Sequence, residues 1–187
     1  MFENVVKHYP DFPVEGIDFI DVMPLMQDPT VFRDLGSEID RLCPSSTVAT
    51  AEARGFLFAA PLLAVSDHVT NIVPIRKKGK LPFAEGDLRR VEIVKEYGAD
   101  EVFYRLSDLA AGRVSDGMLH LTFVDDILAT GGTAAGIARA LQGETLSVGG
   151  HQCRVCVDGF VFVAELCSLG GAKLLEQIAP VSSIIKL

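Results

Sequence analysis

Leu121-Thr122-Phe123-Val124-Asp125-Asp126-Ile127-Leu128-Ala129-Thr130-Gly131-Gly132-Thr133 joins three pieces with different physics. The apolar run from Leu119 to Val124 reads as a buried strand, and it delivers two adjacent carboxylates to its C-terminal end. A short loop of Gly and Thr follows and opens a helix predicted from Thr133 to Leu141, closed by Gly143. Glycines let backbone N–H groups turn toward one point, and a helix start adds unpaired donors and a partial positive charge. A phosphate is the natural guest of such a cradle. The carboxylate pair beside it would repel a second phosphate but can accept hydrogen bonds from the vicinal hydroxyls of a ribose. Strand, paired acids, Gly/Thr cradle and helix together point to a sugar phosphate. The spacing fits neither a Walker loop nor the Gly-x-Gly-x-x-Gly dinucleotide fingerprint.

Outward from this segment the chain alternates. An N-terminal helical turn is expected over Glu3 to His8. Asp28 caps a helix that starts at Pro29 and runs to about Leu42, with Val31, Leu35, Ile39 and Leu42 on one face. Strands are predicted at Thr47–Ala51, Asn71–Ile75, Val91–Val94, Val102–Leu106, Arg154–Val163 and Val181–Ile185, and helices at Gly55–Val65 and Leu169–Ile178. Arg76 to Gly86 reads as loop. Strands alternating with helices, several of them continuously apolar, indicate an α/β fold with a mostly parallel central sheet flanked by helices. In such sheets ligands sit beyond the carboxyl ends of the strands, which directs attention to the loops after Ala51, Ile75 and Val124.

The chain has 187 residues, 49% of them hydrophobic and 22% charged, a composition that suits one globular domain and excludes disorder. Its uncharged stretches fall short of the roughly 20 residues of a bilayer span, and the N-terminus shows no signal-peptide pattern. With a net charge of −8 it is not expected to bind nucleic acid or an anionic membrane surface. Yet Arg76, Lys77, Lys78, Lys80, Arg89, Arg90 and Lys95 cluster in one stretch, a cationic strip suited to a small polyanion. Four scattered cysteines make no disulfide framework and point to a reducing, cytoplasmic setting. Cys153 and Cys156 form a C-x-x-C, but residues three apart on a strand face opposite ways, so neither a redox pair nor a metal site is expected from them.

The segment Leu121 to Thr133 resembles the phosphoribosyl-pyrophosphate (PRPP) signature of the type I phosphoribosyltransferases. Asp11-Phe12-Pro13 with Gly16, Phe19, Asp21 and Pro24, then Ala53-Arg54-Gly55-Phe56-Leu57-Phe58, Arg76-Lys77-Lys78-Gly79-Lys80-Leu81-Pro82 and Glu96-Tyr97-Gly98, resemble the adenine phosphoribosyltransferases in that family's order. The likeness covers nearly the whole chain and continues through Glu165-Leu166 and Leu169. It implies a type I phosphoribosyltransferase fold with a small N-terminal hood over about residues 1–30 and a flexible lid over about 77–95. It also implies a homodimer, Mg²⁺ carried by PRPP, and the conversion of adenine and PRPP to AMP and pyrophosphate.

Carried over by position, the resemblance assigns Asp125 and Asp126 to the ribose hydroxyls and Ala129, Thr130, Gly131, Gly132 and Thr133 to the 5′-phosphate. Arg54, Arg76, Lys77 and Lys80 are assigned to the pyrophosphate, and Glu96 to the proton on the base. Asp18, Phe19, Ile20, Ile127, Ala129 and Leu166 are assigned to the purine, while Asp125 and Asp126 reach Mg²⁺ through water. Arg54 joins Glu96 in the catalytic set. The chain departs from the family pattern at Ile20, where a Lys or Arg is usual, in lengthened stretches at 82–96 and 112–120, and at Gly170-Gly171-Ala172-Lys173-Leu174. The last is expected to bear on folding or dimer contacts rather than chemistry. A 6-oxopurine phosphoribosyltransferase and a non-catalytic PRPP sensor are the alternatives. The first generally needs a late lysine, for which this chain has no matching context, and the second usually adds a nucleic-acid-binding segment.

Overall fold

The structure is a computed structural model, and it describes residues 2–95 and 98–187. In chain order the strands and helices are β1 (Lys7–Tyr9), β2 (Phe19–Asp21), α1 (Pro29–Leu42), β3 (Thr47–Ala51), α2 (Arg54–Ala59), α3 (Leu62–Val65), β4 (Asn71–Lys77), β5 (Leu88–Lys95), β6 (Gly98–Arg105), α4 (Leu106–Ala110), β7 (Val114–Ser115), β8 (Met118–Leu128), α5 (Gly132–Gln142), β9 (Thr145–Val148), β10 (His151–Glu165), α6 (Gly171–Leu175) and β11 (Val181–Lys186).

The main sheet runs β11-β10-β8-β3-β4-β6-β5. Its centre, from β11 to β4, is parallel throughout, whereas β5 and β6 form an antiparallel hairpin joined to β4. Short β7 and β9 pair antiparallel with β8 and β10. From β3 the chain moves to β4 on one side, then returns through the hairpin to β8 on the other. Strand order therefore reverses between β3 and β8, and a crevice opens beyond their carboxyl ends.

Both faces of the parallel strands are apolar, so both must be covered. One face packs Phe123, Phe160 and Phe162 against Ala134, Ile137, Ala138 and Leu141 of α5. The other packs Val48, Val124, Val161 and Val163 against Leu35 and Ile39 of α1 and Phe58 of α2. A bulge in β10 between Val157 and Gly159 shifts the register. Before it the odd-numbered residues (Cys153, Val155, Val157) face α5, and after it the even-numbered ones do. Cys153 is thus buried in the core while Cys156 lies on the opposite face, as strand alternation requires.

Several elements differ from the sequence expectation for identifiable reasons. The N-terminal helical turn is confined to a 3₁₀ turn at Phe2–Asn4, because Lys7–Tyr9 pairs antiparallel with β2 and buries Val6 and Ile20. Pro61 lacks an N–H and divides the predicted Gly55–Val65 helix into α2 and α3. Arg76 and Lys77 belong to β4 rather than to a loop, held by pairing with Phe103 and Val102. The Leu169–Ile178 helix shrinks to α6, since Gly170 takes a left-handed conformation and closes a separate 3₁₀ turn at Cys167–Leu169. Residues 88–95 of the expected lid form β5, whose Val91 and Ile93 are buried in the core. By contrast α1 begins where its cap predicts, with the Asp28 carboxylate accepting from Thr30 N–H at 2.8 Å and Val31 N–H at 3.3 Å.

Candidate active site

The crevice between β3 and β8 gathers the charged residues. Buried strand β8 carries Asp125 and Asp126 to its end, and the turn after β3 carries Glu52, Arg54 and Gly55 to meet them. Arg54 Nε lies 2.6 Å from Asp126 Oδ2, a charge contact without hydrogen-bond alignment. Asp125 accepts the backbone N–H of Asp126 at 2.9 Å. Burial first, and then the neighbouring Asp126 charge, push the Asp125 carboxyl well above the usual carboxylate range; Arg54 offsets this only in part. Gly55 makes the approach possible. A Cβ there would collide with the Asp125 carboxylate and come within 2.6 Å of Thr50 Oγ1.

Beyond Asp126 the chain enters the cradle. Gly131 adopts φ 77° as the residue before α5, and the first turn of that helix leaves N–H groups without intrahelical partners. A cavity of about 110 Å³ lies here, lined by Asp125, Thr130 to Thr133 and Phe162 among others, a space suited to a small tetrahedral anion. The cradle is braced from outside the loop. Gly131 sits against the backbone of Gly171, and a Cβ on Gly171 would strike the Ala129 carbonyl. The Gly170-Gly171 departure therefore also touches the cradle loop.

The cationic strip begins beside this crevice. Arg76 donates to the Glu52 carboxylate, and its guanidinium stands 5.6 Å from the Phe56 ring centroid. Burial alone would raise the Glu52 carboxyl, but the Arg76 hydrogen bond, the Lys77 N–H and both positive charges bring it below its ordinary value. Lys77, the last residue of β4, and Lys80, on the turn that follows, are both exposed. Glu96 lies outside the described residues.

The N-terminal hairpin divides the expected purine set by strand alternation. Phe19 lies edge-on to Phe12 at 5.3 Å and 6.0 Å below the Arg54 guanidinium, on the crevice side. Ile20 and Asp18 instead line a cavity of about 620 Å³ with Leu166 and Leu169, and the Asp18 carboxylate pairs with His8 Nδ1 at 2.8 Å. Ile127 and Ala129 border the cradle cavity.

Comparison with known proteins agrees with this geometry. No family model matches the chain. It is 34% identical over 190 residues to the adenine phosphoribosyltransferase of Synechococcus sp. (strain CC9605), covering 98% of this chain and 97% of that one. The chain belongs to the adenine phosphoribosyltransferase family. The crystal structure of the Thermoanaerobacter pseudethanolicus adenine phosphoribosyltransferase superposes with a TM-score of 0.79 at 31% identity, covering 100% of this chain and 98% of that one. The Saccharomyces cerevisiae adenine phosphoribosyltransferase, complexed with D-2,5-dideoxy-2,5-imino-altritol 1,6-bisphosphate and adenine, matches with a TM-score of 0.75 at 30% identity over 98% of this chain and 96% of its own.

As an adenine phosphoribosyltransferase relative, the chain explains its own departure at position 20. Ile20 is 4% exposed and packs with Val6, Val22 and Leu25, so an apolar side chain suits the place it occupies. Sequence reasoning missed Glu52, Phe162 and Gly171. Glu52 was legible as an acid two residues before Arg54, whereas Phe162 and Gly171 reach the site only through tertiary packing.

The displaced Asp125 titration makes a prediction. A carboxyl raised in the folded state contributes stability that is complete below its unfolded pKa and lost as pH rises toward the folded value. The isosteric Asp125→Asn substitution removes that loss. In the ligand-free protein it should raise the thermal midpoint at neutral pH, by about 2–4 °C for each kcal/mol recovered. The gain should grow between pH 6 and pH 8, as followed by circular dichroism; a gain that shrinks over this interval contradicts the assignment.

Proposed function

We infer that this chain is a purine salvage enzyme that transfers the 5-phosphoribosyl group from PRPP to adenine, giving AMP and pyrophosphate. The observation that carries the reading is the strand end at Asp125 and Asp126, which opens at the sheet's switch point directly into an anion cradle. The yeast relative crystallised with adenine and an imino-altritol bisphosphate supports it.

The C1′–O bond to pyrophosphate breaks with its electron pair leaving on the diphosphate, N9 of adenine bonds to C1′, and the base gives up its N–H proton. Positive charge develops on the sugar ring and negative charge on the leaving group, so fixed charges of both signs are needed at close range. Asp125 and Asp126 hold the ribose hydroxyls and favour the cationic ring. Backbone N–H groups and hydroxyls from Ala129 to Thr133 hold the 5′-phosphate. Arg54, Arg76, Lys77 and Lys80 neutralise the departing diphosphate, and Arg54 exchanges its contact with Asp126 for that anion. Glu96 takes the proton from the base, which packs among Phe19, Ile127, Ala129 and Leu166, with Asp18 and Ile20 offering backbone groups.

Mg²⁺ fits this donor set, because burial and then the Asp126 charge hold Asp125 toward protonation, which a cation would relieve, and both aspartates offer hard oxygen ligands. Asp125 and Asp126 would hold the ion when it arrives with PRPP, and it would supply charge neutralisation at the diphosphate. Residues 1–30 act as a hood, and the loop 78–87 between β4 and β5 acts as a lid over one phosphoribosyltransferase domain, excluding water that would hydrolyse PRPP. A homodimer and a cytoplasmic setting complete the proposal. Among the described residues no helix is long and apolar enough to cross a membrane.

The primary test is Mg²⁺-dependent pyrophosphate release from PRPP with adenine, hypoxanthine, guanine and xanthine offered in parallel. Release with adenine alone is expected, and the double substitution Asp125→Asn with Asp126→Asn should cost at least about a hundredfold. Release with an oxopurine instead would move the assignment to that class of base, and silence with all four alongside PRPP binding would make the chain a sensor. Glu96→Gln should lower kcat by about 10² while leaving both KM values within about threefold; an unchanged kcat removes it from proton transfer. Gly171→Ala should push the Ala129 carbonyl into the cradle and raise the KM for PRPP about tenfold with the KM for adenine unchanged, measured by initial rates at saturating co-substrate.

A further inference from the structure

We propose that His120, Cys156 and Asp158 form a binding site for a borderline-soft divalent cation, Zn²⁺ in the first instance, at the end of the sheet opposite the crevice. Among the described residues these three present one imidazole nitrogen, one thiol sulfur and one carboxylate oxygen, all within 4.8 Å of one another. Neighbouring parallel strands set the arrangement. Cys156 of β10 lies directly opposite His120 of β8. Asp158 stands two residues further along β10, next to the bulge at Gly159.

The donor set is the kind that selects zinc over magnesium. Imidazole and thiolate suit a borderline-soft ion, and three protein ligands leave a fourth tetrahedral position for water. His120 Nδ1 stands 2.9 Å from Asp158 Oδ1 and 3.1 Å from Oδ2. Ligands around tetrahedral zinc sit roughly 3.4 Å apart, as bonds near 2.1 Å require. Opening the His120–Asp158 contact by about half an ångström therefore admits the ion between the two groups, bound through Nδ1 of the Nε2–H tautomer.

The carboxylate is already oriented by a partner behind it. Ser45, 3% exposed, donates its hydroxyl to Asp158 Oδ2 at 2.6 Å, and its own N–H is held by Thr122 Oγ1 at 3.3 Å. Such outer partners fix the geometry of a ligating group before the metal arrives. Access is open as well: the His120 side chain is 40% exposed and that of Asp158 24%. Arg154, two residues before Cys156, is exposed at the strand's start and can turn to solvent. His120 and Asp125 are five residues apart on β8, about 16 Å of strand, so the two sites bind independently.

The test uses the full chain with Cys167→Ser, which silences the exposed remaining thiol, after stripping with a chelator. Zn²⁺ affinity is measured by competition with a chromogenic chelator, and thiolate ligation by the charge-transfer absorption of bound Co²⁺. One equivalent is expected, with a Co²⁺–thiolate band and a thermal midpoint that rises with free Zn²⁺. Cys156→Ser should abolish the band, and His120→Asn should weaken Zn²⁺ at least tenfold. Asp125→Asn with Asp126→Asn should leave both unchanged. Circular dichroism of each variant checks its fold, and both tested ligands lie on partly exposed strand positions. A band that survives Cys156→Ser, an affinity unaffected by His120→Asn, or binding lost with the Asp125 and Asp126 substitutions overturns the proposal, as does the absence of a bound equivalent.

Discussion

Two carboxylates on consecutive residues at the end of a buried strand are an electrostatic liability, and the architecture around the crevice answers to it. Arg54 is set 2.6 Å from Asp126, while Asp125, more weakly compensated, is driven toward its neutral form. A guanidinium can reach that place only if the turn after β3 comes down onto β8, and that requires the missing Cβ of Gly55. Once Arg54 stands there, its face offers a support for Phe19, and the N-terminal hairpin is carried over the crevice. One charge pairing thus orders the sheet's centre, the first turn of α2 and the N-terminal segment.

Much of this was legible along the chain where local and tertiary preferences agree. β3 was predicted at Thr47–Ala51 and occupies those residues, because an apolar β-branched run bounded by polar residues has one good solution in an α/β sheet. α1 was legible from its Asp28 cap and following proline, and α5 from the glycines at either end. Where a single residue overrides periodicity the reading failed, as at Pro61 and at left-handed Gly170. At the N-terminus, pairing with a segment ten or more residues away outcompeted a weak helical tendency.

The candidate site divides along the same line. Asp125, Asp126, Arg54 and the cradle are contiguous motifs at strand ends, so their proximity follows from topology. Phe162 and Gly171 carry no local signature; they matter because β10 lies beside β8 and because α6 starts against the cradle loop. Position 20 shows the converse. There a hairpin turns the side chain of a motif position into the core, where an apolar residue is favoured.

β8 itself shows how one strand can serve two chemistries without conflict. Its middle, Leu121 to Val124, is sealed between helices on both faces, and neither solvent nor a ligand reaches it. Among the described residues its titratable side chains, His120, Asp125 and Asp126, lie toward its two ends, and the neighbouring strands decide what gathers with them. At the carboxyl end β3 brings a cation to a pair of acids. At the other end ordinary alternation before the bulge in β10 puts Cys156 and Asp158 on one face with His120, beside Ser45, and Cys153, Val155 and Val157 in the core. A regular β10 would have reversed the facing of every residue beyond Asp158 and turned Phe160 and Phe162 away from α5. The bulge thus completes the core around Phe123 beyond it without disturbing His120, Cys156 and Asp158, which stay together before it at the far end of the strands.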